Sequence, residues 1–142
     1  LCPTASCVFT IPGSHFLTFS CFQRQPLLAR MRMEDEFLLA LEQVGRRFQM
    51  RVYAYVVMPE HVHVLVSEPE STTLAAAMQL LKTKVSVQAR KAQKRVASDE
   101  PFWQARYFDR NVRHHPLFVT QLRYVHRNPV KRGLCNAPED WP

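Results

Sequence analysis

The chain has 142 residues, 46% of them apolar and nine of them Phe, enough for one packed domain and too few for two, and not the composition of a disordered segment. Nineteen Lys and Arg against twelve Asp and Glu leave a net charge of +7, an excess that favours a polyanionic partner such as nucleic acid or an acidic membrane surface. No apolar run approaches bilayer-spanning length, Cys2, Cys7, Cys21 and Cys135 form no CxxC pair, and no secretory leader is visible, so a reduced cytoplasmic protein is expected.

A first strand is expected at residues 16–20, after the turn signal Pro12-Gly13, followed by a loop at 24–32. A helix over 33–48 follows from Phe37, Leu41, Val44 and Phe48 at helical spacing. Its first turn carries Glu34, Asp35 and Glu36 and its last carries Arg46 and Arg47, both complementing the helix dipole. Residues 51–57, rich in Val and Tyr, read as a strand, and 61–67 return antiparallel to it across a Pro59-Glu60 turn.

From 73 to 96 a long helix is predicted by the stripe Leu74, Met78, Leu81, Val85, Ala89, Ala92 and Val96. Lys82, Lys84, Arg90, Lys91, Lys94 and Arg95 occupy its other faces, with no acid from 73 to 96. The alternatives are a solvated face and a phosphate-binding one, and the lack of acids favours the second. Residues 102–113 are the fourth strand candidate. A last helix starts near Pro116 and is expected to stop at about Arg127, because Asn128 precedes Pro129. The order β-α-β-β-α-β-α predicts an α+β, ferredoxin-like sandwich, with helices packed on one face of a mainly antiparallel four-stranded sheet.

Within the third strand, His61 and His63 project to one face while Val62, Val64 and Val66 turn the other way. Two imidazoles so placed can converge on one divalent ion; taken alone they read first as half-exposed strand histidines. Tyr124 and Asn128 share a face of the last helix. Two imidazoles and an amide oxygen would leave an ion open positions and its full charge to offset charge developing on a phosphate. A free phenol ionises near pH 10, so a tyrosine nucleophile needs a polarised phosphate and an acceptor for its proton. The plainer alternatives are a core tyrosine at 124 and, at 128, a helix-terminal asparagine before Pro129.

His61-Val62-His63 resembles the HUH (His-hydrophobe-His) motif, within a stretch from Tyr55 to His63 that fits the wider pattern of single-tyrosine HUH transposases, and Tyr124-Val125-His126-Arg127-Asn128-Pro129-Val130-Lys131-Arg132-Gly133 resembles the tyrosine segment of those enzymes. The REP-associated tyrosine transposases are the most similar group. Phe102-Trp103-Gln104 and Tyr107-Phe108-Asp109 fit the same pattern, so the likeness runs from 16 to 142. It implies one transposase catalytic domain over 1–142, cut short at one or both ends.

The resemblance further implies that His61, His63 and Asn128 ligate Mg²⁺ or Mn²⁺. Tyr124 would attack a phosphate of hairpin-flanked single-stranded DNA, leaving a 5′-phosphotyrosine link and a free 3′-hydroxyl. Related insertion-sequence enzymes often carry Gln where Asn128 stands, a longer arm for the third ligand. Lys84, Lys91, Lys94 and Arg95 would follow DNA phosphates. The protein would act as a monomer or homodimer, nucleoid-associated in the cytoplasm and without a membrane. Glu60 reads as a turn residue, Trp103 as a core residue before a base-stacking one, and His126 as a surface residue. The rival functions are a catalytically silent hairpin-binding protein and a hydrolase in which water attacks and Tyr124 only positions substrate.

Overall fold

A computed structural model describes residues 13–92 and 100–141. Strands β1 (Ser14–Ser20), β2 (Val52–Val57), β3 (His61–Ser67) and β4 (Phe108–Val112) form one sheet in the order β2-β3-β1-β4. Every paired neighbour is antiparallel. Helix α1 (Leu27–Arg30) is a single turn; α2 (Glu34–Phe48) and α3 (Leu74–Ala92) are the two crossovers of the sandwich, and α4 (His115–Lys131) closes the chain.

Alternation along β1 and β3 divides the core in two. Leu17, Phe19, Val62, Val64 and Val66 pack with Phe37, Leu41 and Val44 of α2 and Met78, Leu81 and Val85 of α3. Complete burial of one such side chain is worth about 1.5–3 kcal/mol, so this face carries most of the stability. The expected stripes of both helices therefore face the sheet, with Phe48 half-buried at the end of α2 and Ala92 exposed at the end of α3. Val96 lies outside the described residues. Thr73 caps α3 by accepting from Ala76 N at 3.1 Å.

The α+β sandwich and its antiparallel sheet match the sequence reading, but the last helix does not lie with the other two. Phe16, Val56, Met58, Leu65 and Val112 form a second core with Val125, so α4 covers the opposite face, against β2 and β3. A helix alone on that face is needed because Phe16 and Leu65 alternate with the first core and would otherwise be bare.

The expectation that α4 stops before Pro129 is corrected. The helix runs through Pro129 to Lys131, with Asn128 and Pro129 both buried. Burial of this segment outweighs the proline penalty of about 3 kcal/mol, and the backbone bonds resume with Arg132 N to the Asn128 carbonyl and Leu134 N to the Pro129 carbonyl. The 24–32 segment is likewise more ordered than a loop: α1 seats Leu28, fully buried, in the first core. The fourth strand starts only at Phe108; ahead of it Trp103 makes an isolated bridge to Cys21.

Candidate active site

Successive residues of a strand alternate, so His61 and His63 emerge together on the α4 face of β3. Both are buried, and their Nε2 atoms stand 3.0 Å apart. Nδ1 of His61 bonds Glu60 Oε1 at 3.0 Å, and Nδ1 of His63 bonds the Thr18 hydroxyl at 2.7 Å. A carboxylate only accepts, so His61 carries its proton on Nδ1 and turns its Nε2 lone pair towards Nε2 of His63. The Thr18 hydroxyl serves as donor or acceptor, which lets His63 take up the same tautomer. Burial, followed by the charge of His61, pushes His63 down to about 3, so it is neutral near pH 7. His61 is also lowered, by burial first, against the opposing carboxylate of Glu60.

Helix α4 and its C-terminal cap residue carry three side chains at four-residue spacing on this side of the sheet: Tyr124, Asn128 and Arg132. The Tyr124 ring meets the His63 ring edge-on, centroids 5.3 Å apart at 70°, and also touches Phe16 at 5.8 Å. It remains 40% exposed, open to a ligand on one side. One turn on, Asn128 is buried, and its Oδ1 has no hydrogen-bond partner among the described residues. Another turn on, Arg132 reaches the Glu60 carboxylate, the same oxygen that bonds His61, with Arg24 at 3.4 Å. Asn128 thus lies between one residue touching His63 and another linked to His61.

The spacing of the two imidazole nitrogens is compatible with a shared divalent ion. Two ligands at right angles around an ion about 2.1 Å away are separated by about 3.0 Å, the spacing of the two Nε2 atoms. A buried carbonyl oxygen without a partner carries a desolvation penalty that a cation would relieve. Among the described residues no three His, Cys, Asp or Glu side chains gather as a metal cluster. A third protein ligand would therefore be an amide, and Glu60 is turned to the far ring nitrogen of His61.

The family model described as Transposase IS200 like matches residues 14–128, a span that takes in the sheet, His61, His63, Tyr124 and Asn128. The chain belongs to that family. Among curated proteins it is similar to a Haemophilus influenzae protein named for the REP-associated tyrosine transposases, 27% identical over 76% of this chain and 65% of the relative. It is also similar to the REP-associated tyrosine transposase of Escherichia coli, 25% identical over 72% of this chain and 58% of that protein. The matched part thus spans about three-fifths of these relatives' length. A solved REP-associated tyrosine transposase bound to a REP hairpin shares the fold, with a TM-score of 0.75 at 22% identity over 100% of this chain and 81% of the other.

Within this IS200-like transposase framework, the basic residues of the long helix lie apart from the histidine pair. Lys84 and Lys91 sit on α3, which packs on the other sheet face, and Lys84 donates to Gln43 on α2 at 3.3 Å. Lys94 and Arg95 lie outside the described residues. Trp103 is a core residue, buried against Phe37 and Phe19, its Nε1 donating to the Lys82 carbonyl. His126 is exposed. Sequence reasoning missed Glu60 as more than a turn residue: it is buried beside Arg132, 72 positions away in the chain. Burial would raise its carboxyl, yet Arg132 and His61 outweigh that and hold it below the usual range. No helix among the described residues is long and apolar enough to cross a membrane.

Proposed function

We propose that this transposase-family chain cleaves and transfers single-stranded DNA beside a hairpin, with Tyr124 as nucleophile. The observation that carries the reading is the Tyr124 ring against His63, with the unpartnered Asn128 oxygen one helical turn away. His61, His63 and Asn128 would hold Mg²⁺ or Mn²⁺, which when bound supplies positive charge to the scissile phosphate.

The remaining work falls to the chain. Glu60 and Thr18 hold the two imidazoles in orientation. Phe16 and His63 flank the Tyr124 ring and restrict its approach to one side of the helix. Attack forms a bond from the phenolic oxygen to phosphorus and breaks the bond to the 3′ oxygen, which leaves as a hydroxyl with a proton. Attack by another 3′-hydroxyl reverses the exchange, joins strands and frees Tyr124, with no external energy source. The hairpin-bound relative supports a folded single strand as substrate. Lys84 and Lys91 would touch phosphates only of DNA that reaches round the sheet, and Lys94 and Arg95 would continue that basic run along the sequence, whereas Arg24 and Arg132, both on Glu60, would border the cut.

The test is incubation of labelled hairpin-flanked single-stranded DNA with Mn²⁺, resolved on a denaturing gel. A covalent protein–DNA adduct is expected from the unaltered chain and none from Tyr124→Phe. Cut strands with no attached protein would assign the attack to water. Salt-sensitive binding with no product would make the chain a silent hairpin-binding protein.

A further inference from the structure

Helix α4 shields only part of the sheet face that holds the histidines. It packs mainly on β2 and β3 and also covers Phe16 and Val112, while the part of β1 and β4 that carries Thr18, Phe108 and Arg110 is left partly or fully exposed. The register there pairs Thr18 with Phe108 and Phe16 with Arg110. Residues directly opposite on paired strands share a face, so Phe108 and Arg110 belong to the surface that carries His63. Phe108 is 57% exposed, the most open of the exposed large apolar side chains described, and Arg110 is exposed beside it. Thr18, its cross-strand neighbour, is the residue bonded to His63. Two strand spacings, about 10 Å, therefore separate the backbone of Phe108 from that of His63.

Charge on β4 is divided by face. Asp109 alternates to the other side, where His15 Nδ1 bonds it at 2.8 Å. The strand thus offers the open floor one apolar ring and one guanidinium, with its acid turned away. An aromatic face accepts any unpaired base by stacking, and an adjacent cation accepts the phosphate that follows it.

Resting on the cleavage reading above, we propose that Phe108 is a stacking platform for an unpaired base next to the scissile phosphate, and that Arg110 holds the adjoining phosphate. The site would take any base, since stacking reads no hydrogen-bond pattern, and would favour single strands over duplex, whose bases are not free to stack on it.

The experiment measures binding of a labelled oligothymidylate to Tyr124→Phe protein, so that no strand is cut, with and without Phe108→Ala, Phe108→Leu and Phe108→Trp. Phe108→Ala and Phe108→Leu should weaken binding by about 5- to 150-fold, the span of one lost base–aromatic stack. Phe108→Trp should restore affinity, its indole fluorescence quenched on binding. An abasic nucleotide at the stacked position should abolish the difference between Phe and Ala. Melting temperatures check that each variant folds. Equal affinity of Phe108 and Ala proteins, or unquenched indole, overturns the platform while adduct formation at Tyr124 still stands. Failure of unaltered protein to bind any single strand overturns both.

Discussion

Arg132 at the end of α4 and His61 on β3 share one carboxylate oxygen, Oε1 of Glu60. The tyrosine-bearing helix is therefore tied to the sheet at the same atom that sets the tautomer of an imidazole. Partners of ligating histidines typically matter by about 10–100-fold in metal affinity. Glu60→Ala should weaken Mn²⁺ binding within that range by calorimetry. Arg132→Met should do so less, and the double substitution should not be additive, because both act through one carboxylate. Additive losses would separate the two roles.

Asn128 offers a contrast between stability and binding. Its buried Oδ1 is unpartnered, so Asn128→Leu removes a penalty of about 1–3 kcal/mol with the same number of side-chain heavy atoms. The variant should melt higher than the unaltered chain in chelator and lose the upward shift that Mn²⁺ confers. An unchanged Mn²⁺ shift would exclude Asn128 as a ligand.

His15 supplies a pH dependence remote from the site. Burial lowers its pKa, but hydrogen bonds to Asp109 and Glu68 prevail and raise it above 6.5. A raised folded value means the imidazolium is favoured by folding, so its contribution is complete below 6.5 and fades as pH climbs through the folded pKa. Urea midpoints should fall over that window, and His15→Gln should flatten the fall. Parallel curves would show that the pair of carboxylates contributes nothing net.

Gly45 lies where α2 passes the start of β2. A Cβ there would stand 3.0 Å from the Met50 carbonyl oxygen, a backbone atom that cannot swing aside. Alanine gains about 1 kcal/mol of helix propensity against an overpacking cost of about 1–3 kcal/mol. Gly45→Ala should therefore lose up to about 2 kcal/mol in denaturant unfolding; a gain would mean that the neighbouring turn yields.

What could be read from the sequence follows the range of the signal. Strand β3 was legible because Val62, Val64 and Val66 alternate with His61 and His63, and all three valines are fully buried. Helices α2 and α3 were legible from their apolar spacing. The side on which α4 lies was not, since periodicity tells which residues turn inward and not against which face. A usable hint was present: Leu65 and Phe16 fall on the histidine face, and apolar residues there require cover. Pro129 misled because a local backbone preference was overridden by burial of the segment. The shared carboxylate of Glu60 was out of reach, because its partner Arg132 comes close only after the chain folds.

Tyr124 and Asn128 ride on one unbroken helix, continued past a proline that local rules would have used as a stop, and Arg132 caps its end. Had the chain broken there, phenol, amide and guanidinium would each have needed separate support. As built, their mutual spacing is inherited from the pitch of a single rod, so aligning all three reduces to seating that rod once on the sheet.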